Sequence, residues 1–161
     1  MAKSAAFGTV LNMGAGLVQV ETATIAGELT NPGDATVTIT CTGMTGSPLA
    51  LTIALANGLP AVSAAAIRLY LQTNAAAAAV RAMFAISGAT DKVILTRLIP
   101  MADIANLNIS VAQGSTTGLN TDTSSDATQA GETLAPVAYV NNISGPGLGL
   151  DTEDVTTHDS T

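Results

Sequence analysis

The stretch Asp34–Thr42, "DATVTITCT", alternates Ala35, Val37, Ile39 and Cys41 with Thr36, Thr38, Thr40 and Thr42. Side chains along a strand point to opposite faces with a period of two, so a chain with this pattern buries one face as a half-covered β-strand. After the turn residues of "GMTGSP", Leu49, Leu51, Ile53 and Leu55 repeat the period, and the two segments are expected to pair as an antiparallel hairpin. Cys41 falls in the apolar phase and is expected to be a small buried hydrophobe. As the sole cysteine it excludes an internal disulfide and any zinc site built from several thiolates.

"NGLP" ends the hairpin, and Pro60 suits the first turn of a helix, where its missing N–H is not needed. Within "PAVSAAAIRLYLQ", Val62, Ala66, Leu69 and Thr73 recur at spacings of three and four, with Ile67 and Leu71 beside them. That face is expected to lie on the apolar side of the hairpin. Asn74 is expected to cap a second short helix through "AAAAAVRAMF". "MFAIS" and "KVILTRLI" then flank the turn "GATD", and in "IANLNISVA" Leu107, Ile109 and Val111 alternate with Asn106, Asn108 and Ser110. The order strand, strand, helix, helix, strand, strand, strand describes an α+β module over residues 28–113.

Residues 114–134 hold almost no large apolar side chain and are rich in Ser, Thr, Gly and Asp, the composition of a linker. Beyond them Val137, Tyr139 and Val140 precede the turn "SGPG", and strand character returns. Residues 1–27 and 135–161 therefore read as an outer frame around an inserted module. Such an insertion is tolerable because loop closure costs only about 0.6 kcal/mol per doubling of length.

A hydrophobic content of 47% in 161 residues is enough for one core, yet aromatics are 2% and Trp is absent. The core must come from Val, Ile, Leu and Ala, and each Ala contributes roughly 0.8 kcal/mol against about 1.5–3 for a larger aliphatic. Stability as a monomer is expected to be modest. The net charge of −7, with basic residues scattered at Lys3, Arg68, Arg81, Lys92 and Arg97, leaves no basic patch for phosphates and disfavours sequence-specific nucleic-acid binding. Residues 35–67 carry no charge, but Thr, Gly, Pro and Asn interrupt them and "LALTIALA" is far too short to span a bilayer. Gly8, Thr9, Asn12, Gly14 and Gly16 likewise break any apolar core of a secretion signal.

The one histidine, His158, lies among Asp151, Glu153, Asp154 and Asp159. On a strand only Asp154 and His158 would share a face, and they would stand about 13 Å apart at the rise of an extended chain. One strand cannot close a metal site with them, and nothing beside Ser160 resembles a nucleophile elbow. No catalytic, cofactor-binding or metal-ligating residue is assigned, and no cofactor is expected.

The ends of the chain, "AFGTVLNMG" and "NNISGPGLGLDTEDVTTHDST", resemble consecutive parts of the major tail tube proteins of long, non-contractile-tailed bacteriophages. In that family F-G-T-x-L-x-x-G is followed by I-S-G-P-x-L-x-x-D-x-x-D-V-T-x-H-D-S. The second motif is met here by Ile143, Ser144, Gly145, Pro146, Leu148, Asp151, Asp154, Val155, Thr156, His158, Asp159 and Ser160. The middle of the chain is similar to a small module inserted into phage tail and structural proteins. The resemblance implies a non-enzymatic virion protein with a β-sandwich frame, incomplete here, that carries the α+β module. Ile143, Gly145, Pro146, Leu148, Asp151, Asp154, Val155 and His158 would then form a subunit-contact motif.

Self-assembly into hexameric rings is expected only of a full-length subunit, because in the family most of the sandwich follows the histidine motif, whereas this chain stops at Thr161 and reads as a truncated N-terminal part. Expected partners are further copies and other tail proteins, with DNA passing non-specifically through the tube. The expected location is the virion tail, after assembly in the host cytoplasm. The alternative, a host-surface or ligand-binding module, would use aromatic platforms, for which only Phe7, Tyr70, Phe84 and Tyr139 exist.

Overall fold

The structure, a computed structural model, describes residues 16–120 and 124–133. In chain order these form strands β1 (Val20–Thr24), β2 (Gly33–Thr40) and β3 (Leu49–Leu55), then helix α1 (Pro60–Thr73). A single 3-10 turn, Ala75–Ala77, leads into α2 (Ala78–Met83), followed by β4 (Phe84–Ser87), β5 (Lys92–Arg97), β6 (Asn108–Gln113) and β7 (Asp126–Gln129). The fold is mixed α+β, with two antiparallel sheets ordered β4-β5-β1-β7 and β3-β2-β6. Both sheets belong to one unit, Met13–Ala135.

The alternating segments behave as their period requires. Ala35, Val37 and Ile39 of β2 are wholly buried, and Val37 stands opposite Leu51 on one side and Val111 on the other. Cys41 is a buried free thiol. Leu51, Ile53 and Leu55 from β3, Ile109 and Val111 from β6, and Ala23, Val93 and Leu95 from the other sheet join one buried cluster. Phe84 is the largest fully buried side chain among the described residues. With aliphatics filling nearly all of this core, each lost methylene is felt directly as a void.

Pro60 opens α1, and the Asn74 side chain accepts from the Ala76 amide at 2.9 Å, capping the turn that leads into α2. Arg81 donates to the carbonyls of Leu71 (2.8 Å) and Asn74 (2.7 Å), groups that a helix C-terminus leaves without intrahelical partners. The buried face of α1 is not the one its spacing suggests. Ser63, Ala64, Ile67 and Leu71 point inward, whereas Val62 and Leu69 are 47% and 60% exposed. The cause is tertiary. Arg68 donates to the carbonyls of Thr90 and Lys92, and Gln72 donates to that of Ile86, so two side chains one turn apart fix the helix's rotation against the β4–β5 hairpin.

The structure also engages residues on both sides of 28–113. β1 lies between β5 and β7 in its sheet, with Val20 opposite Thr96 and Gln129. Within the stretch expected as a linker, Leu119 is wholly buried and β7 completes the sheet edge. Residues 117–120 cross the β1–β2 connection closely, through the Thr30 amide to the Thr117 carbonyl and the Asn120 amide to the Ala26 carbonyl. Gly118 makes this crossing possible. Its φ is +97°, and a Cβ there would lie 2.1 Å from the Glu28 carbonyl oxygen.

β1 and β7 are antiparallel neighbours, so the two ends of the described chain come together. The Glu132 amide donates to the Leu17 carbonyl at 2.9 Å, and the Gln129 side chain donates to the Val18 carbonyl at 2.7 Å.

Candidate functional site

β1 turns polar side chains into the interior. On β1 and the residue at either end of it the inward positions are Gln19, Glu21, Ala23 and Ile25, of which Gln19 is 1% and Glu21 2% exposed. Val18 and Val20 take the other, half-buried face. The sequence carries a signal for this: Val18 and Val20 are in one phase of the alternation and Ala23 and Ile25 in the other, so no phase keeps all four inside.

The buried polar groups form a seam. Gln19 bonds both ways to Ile104, its amide donating to the carbonyl at 3.1 Å and its oxygen accepting the N–H at 2.9 Å, which pins the β5–β6 connection. In the same connection Asp103 accepts the Gly131 amide at 3.0 Å. Ser125, just before β7, is the hub. Its Oγ lies 2.5 Å from Glu21 Oε1 and 3.3 Å from Asn108 Oδ1 and accepts the Ile109 amide at 2.8 Å, while its own amide donates to Asn108 at 2.9 Å. One serine therefore joins β1 in one sheet to β6 in the other. Burial pushes the Glu21 carboxyl above the ordinary range; the Ser125 hydrogen bond opposes this, and the charges of Asp103 and Asp126 add to it.

A buried acid beside a serine raises the question of catalysis. No histidine lies beside Glu21 and Ser125 among the described residues, and Glu21 is 2% exposed. Among the described residues no group of three or more His, Cys, Asp or Glu side chains is placed to hold a metal. What this geometry does is hold residues 124–133 and the β5–β6 connection onto the sheets.

Elsewhere, a shallow groove of about 470 Å³ runs between α1 and β3, lined by Asp34, Thr52, Ala54, Ala66, Leu69 and Tyr70 among others. It owes its apolar wall to the helix face that sequence spacing places in the core. The sequence-derived contact motif, Ile143, Gly145, Pro146, Leu148, Asp151, Asp154, Val155 and His158, lies outside the described residues, as do both frame segments beyond residues 16 and 133. No described helix is long and apolar enough to cross a membrane. Comparisons with protein-family models, curated proteins and solved structures returned no match.

Proposed function

We propose that the chain is a non-enzymatic virion structural protein, part of a phage tail tube subunit whose inserted α+β module decorates the tail surface. The observation that carries this reading is the adjacency of the two ends of the described unit, which contains the module of residues 28–113 and extends beyond it on both sides: Leu17 and Glu132 are hydrogen-bonded neighbours, the geometry that lets a domain sit in a loop of a host fold. The flanks that leave at these points bear the two motifs resembling the tail tube family. A unit built from residues 16–133 has a radius of gyration of about 13 Å, and six of them would obstruct a lumen that must pass a DNA duplex. An outward position follows. The frame's acidic residues, Asp151, Glu153, Asp154 and Asp159, suit a wall that DNA must slide past without sticking.

The test is excision. In a phage whose tail subunit contains this chain, residues 17–132 are replaced by a short Gly-Ser link, and the tails are imaged by cryo-electron microscopy. Intact tubes lacking an outer density support the reading. Failure to form tubes, or lost density inside the lumen, refutes it.

A further inference from the structure

Glu21 has three features that together suggest more than a fixed contact. It is a carboxyl buried on the central strand β1, it is bonded to the segment that closes the sheet edge, and the charges that bear on it are negative. Asp103 of the β5–β6 connection and, more weakly, the exposed Asp126 of β7, which pairs with Thr22, act on it through space, while β6 brings the neutral Asn108. The cations of β5 are committed elsewhere, Arg97 to the Ala102 carbonyl and the Met101 sulfur, and Lys92 to Thr24 and Asp91. Arg68 and Arg81 bind carbonyls around α1.

We propose that Glu21 is a proton-operated clasp for the strap formed by residues 124–133, fastened when the carboxyl is neutral and loosened when it is charged. The Ser125 hydroxyl has one proton to give and two lone pairs to accept with. With Glu21 neutral, its O–H donates to Ser125 Oγ, the Ile109 N–H fills the second lone pair, and the serine proton goes to Asn108 Oδ1, so the hydroxyl's capacity is complete. Loss of the Glu21 proton draws the serine proton to Glu21, strengthening that one bond, and takes it from Asn108. It also leaves a charge on a carboxyl with 2% exposure, the larger cost, and sets it against Asp103, which holds the strap at Gly131. That burial is relieved by lifting the segment that the clasp retains.

The experiment uses the whole chain. The Glu21 carboxyl carbon and the Ser125 and Ile109 amides are followed by NMR across pH, with hydrogen exchange of Ala127 and Gln129 compared with Val37. Expected are a Glu21 midpoint above the ordinary glutamate range, amide shifts sharing that midpoint, and strap exchange that accelerates as Glu21 ionises while Val37 stays protected. Glu21→Gln should hold both amides near their low-pH positions and slow cleavage of the strap by subtilisin several-fold at pH 8. A Glu21 midpoint in the ordinary range, amides unmoved through it, or equal cleavage of the folded variant would overturn the proposal, and the wild-type titration decides the matter even if the variant does not fold.

Discussion

Replacing Ser125 by Ala removes one oxygen and leaves two buried groups without it. The Ile109 amide, in a residue with no exposed surface, loses its acceptor, and Glu21 loses the hydroxyl 2.5 Å from its carboxyl. An orphaned buried polar group costs about 1–3 kcal/mol. The two losses share one site and do not simply add, so about 3 kcal/mol is expected for the variant. For a domain of this size that is roughly a 10 °C drop in Tm.

The control is Thr128→Ala on the same strap, where the lost bonds, to Thr22 Oγ1 at 3.1 Å and the Val20 carbonyl at 3.3 Å, are exposed to water. It should cost about 0.5 kcal/mol or less. Urea denaturation and calorimetry at pH 7 measure both. Equal losses from Ser125→Ala and Thr128→Ala would refute the claim that the seam is a buried, energetically committed network.

Other substitutions test other parts of the fold. Leu71→Ala should cost about 2–5 kcal/mol in urea melts, while Leu69→Ala should stay within about 0.5 kcal/mol, the reverse of what helical spacing alone suggests. Gly118→Ala should lower stability by at least about 1–3 kcal/mol by calorimetry, because its positive φ and the nearby Glu28 carbonyl both reject a Cβ. The folded state favours the neutral form of Glu21, so this group's contribution is fully present below the pKa of an ordinary glutamate and is lost as pH rises through the higher folded value. Glu21→Gln should therefore flatten that part of the stability profile above pH 4.5 and melt at a higher temperature than wild type at pH 8.

The elements legible in the sequence are those whose local pattern and tertiary environment agree. The alternation of β2, β3 and β6, the Pro60 start and the Asn74 cap each depend on a few neighbouring residues, and each is found. The helix face was not legible, because an Ala-rich segment offers two apolar stripes and the choice is made by Arg68 and Gln72 reaching carbonyls on another hairpin. Residues 114–133 read as a linker because polar composition hides single anchors. Leu119 and Ser125 each fasten a stretch that is otherwise Ser, Thr and Gly. The seam itself rests on Gln19 and Glu21, which stand out only through a break in the phase of alternation on β1.

The neighbouring ends of β1 and β7 also set how the unit bears mechanical load. Tension between the flanking chains enters at Leu17 and Glu132, at the same end of an antiparallel pair, so it acts across the ladder rather than along it. The cross-links then meet the force in sequence: the Gln129 bond to Val18, the pairing of Val20 with Gln129, and the Ser125 bond to Glu21 farther in. A pull on the flanks peels β7 away like a zipper and reaches the β3-β2-β6 sheet only at the last cross-link, where Ser125 is bonded to Asn108 and Ile109 of β6.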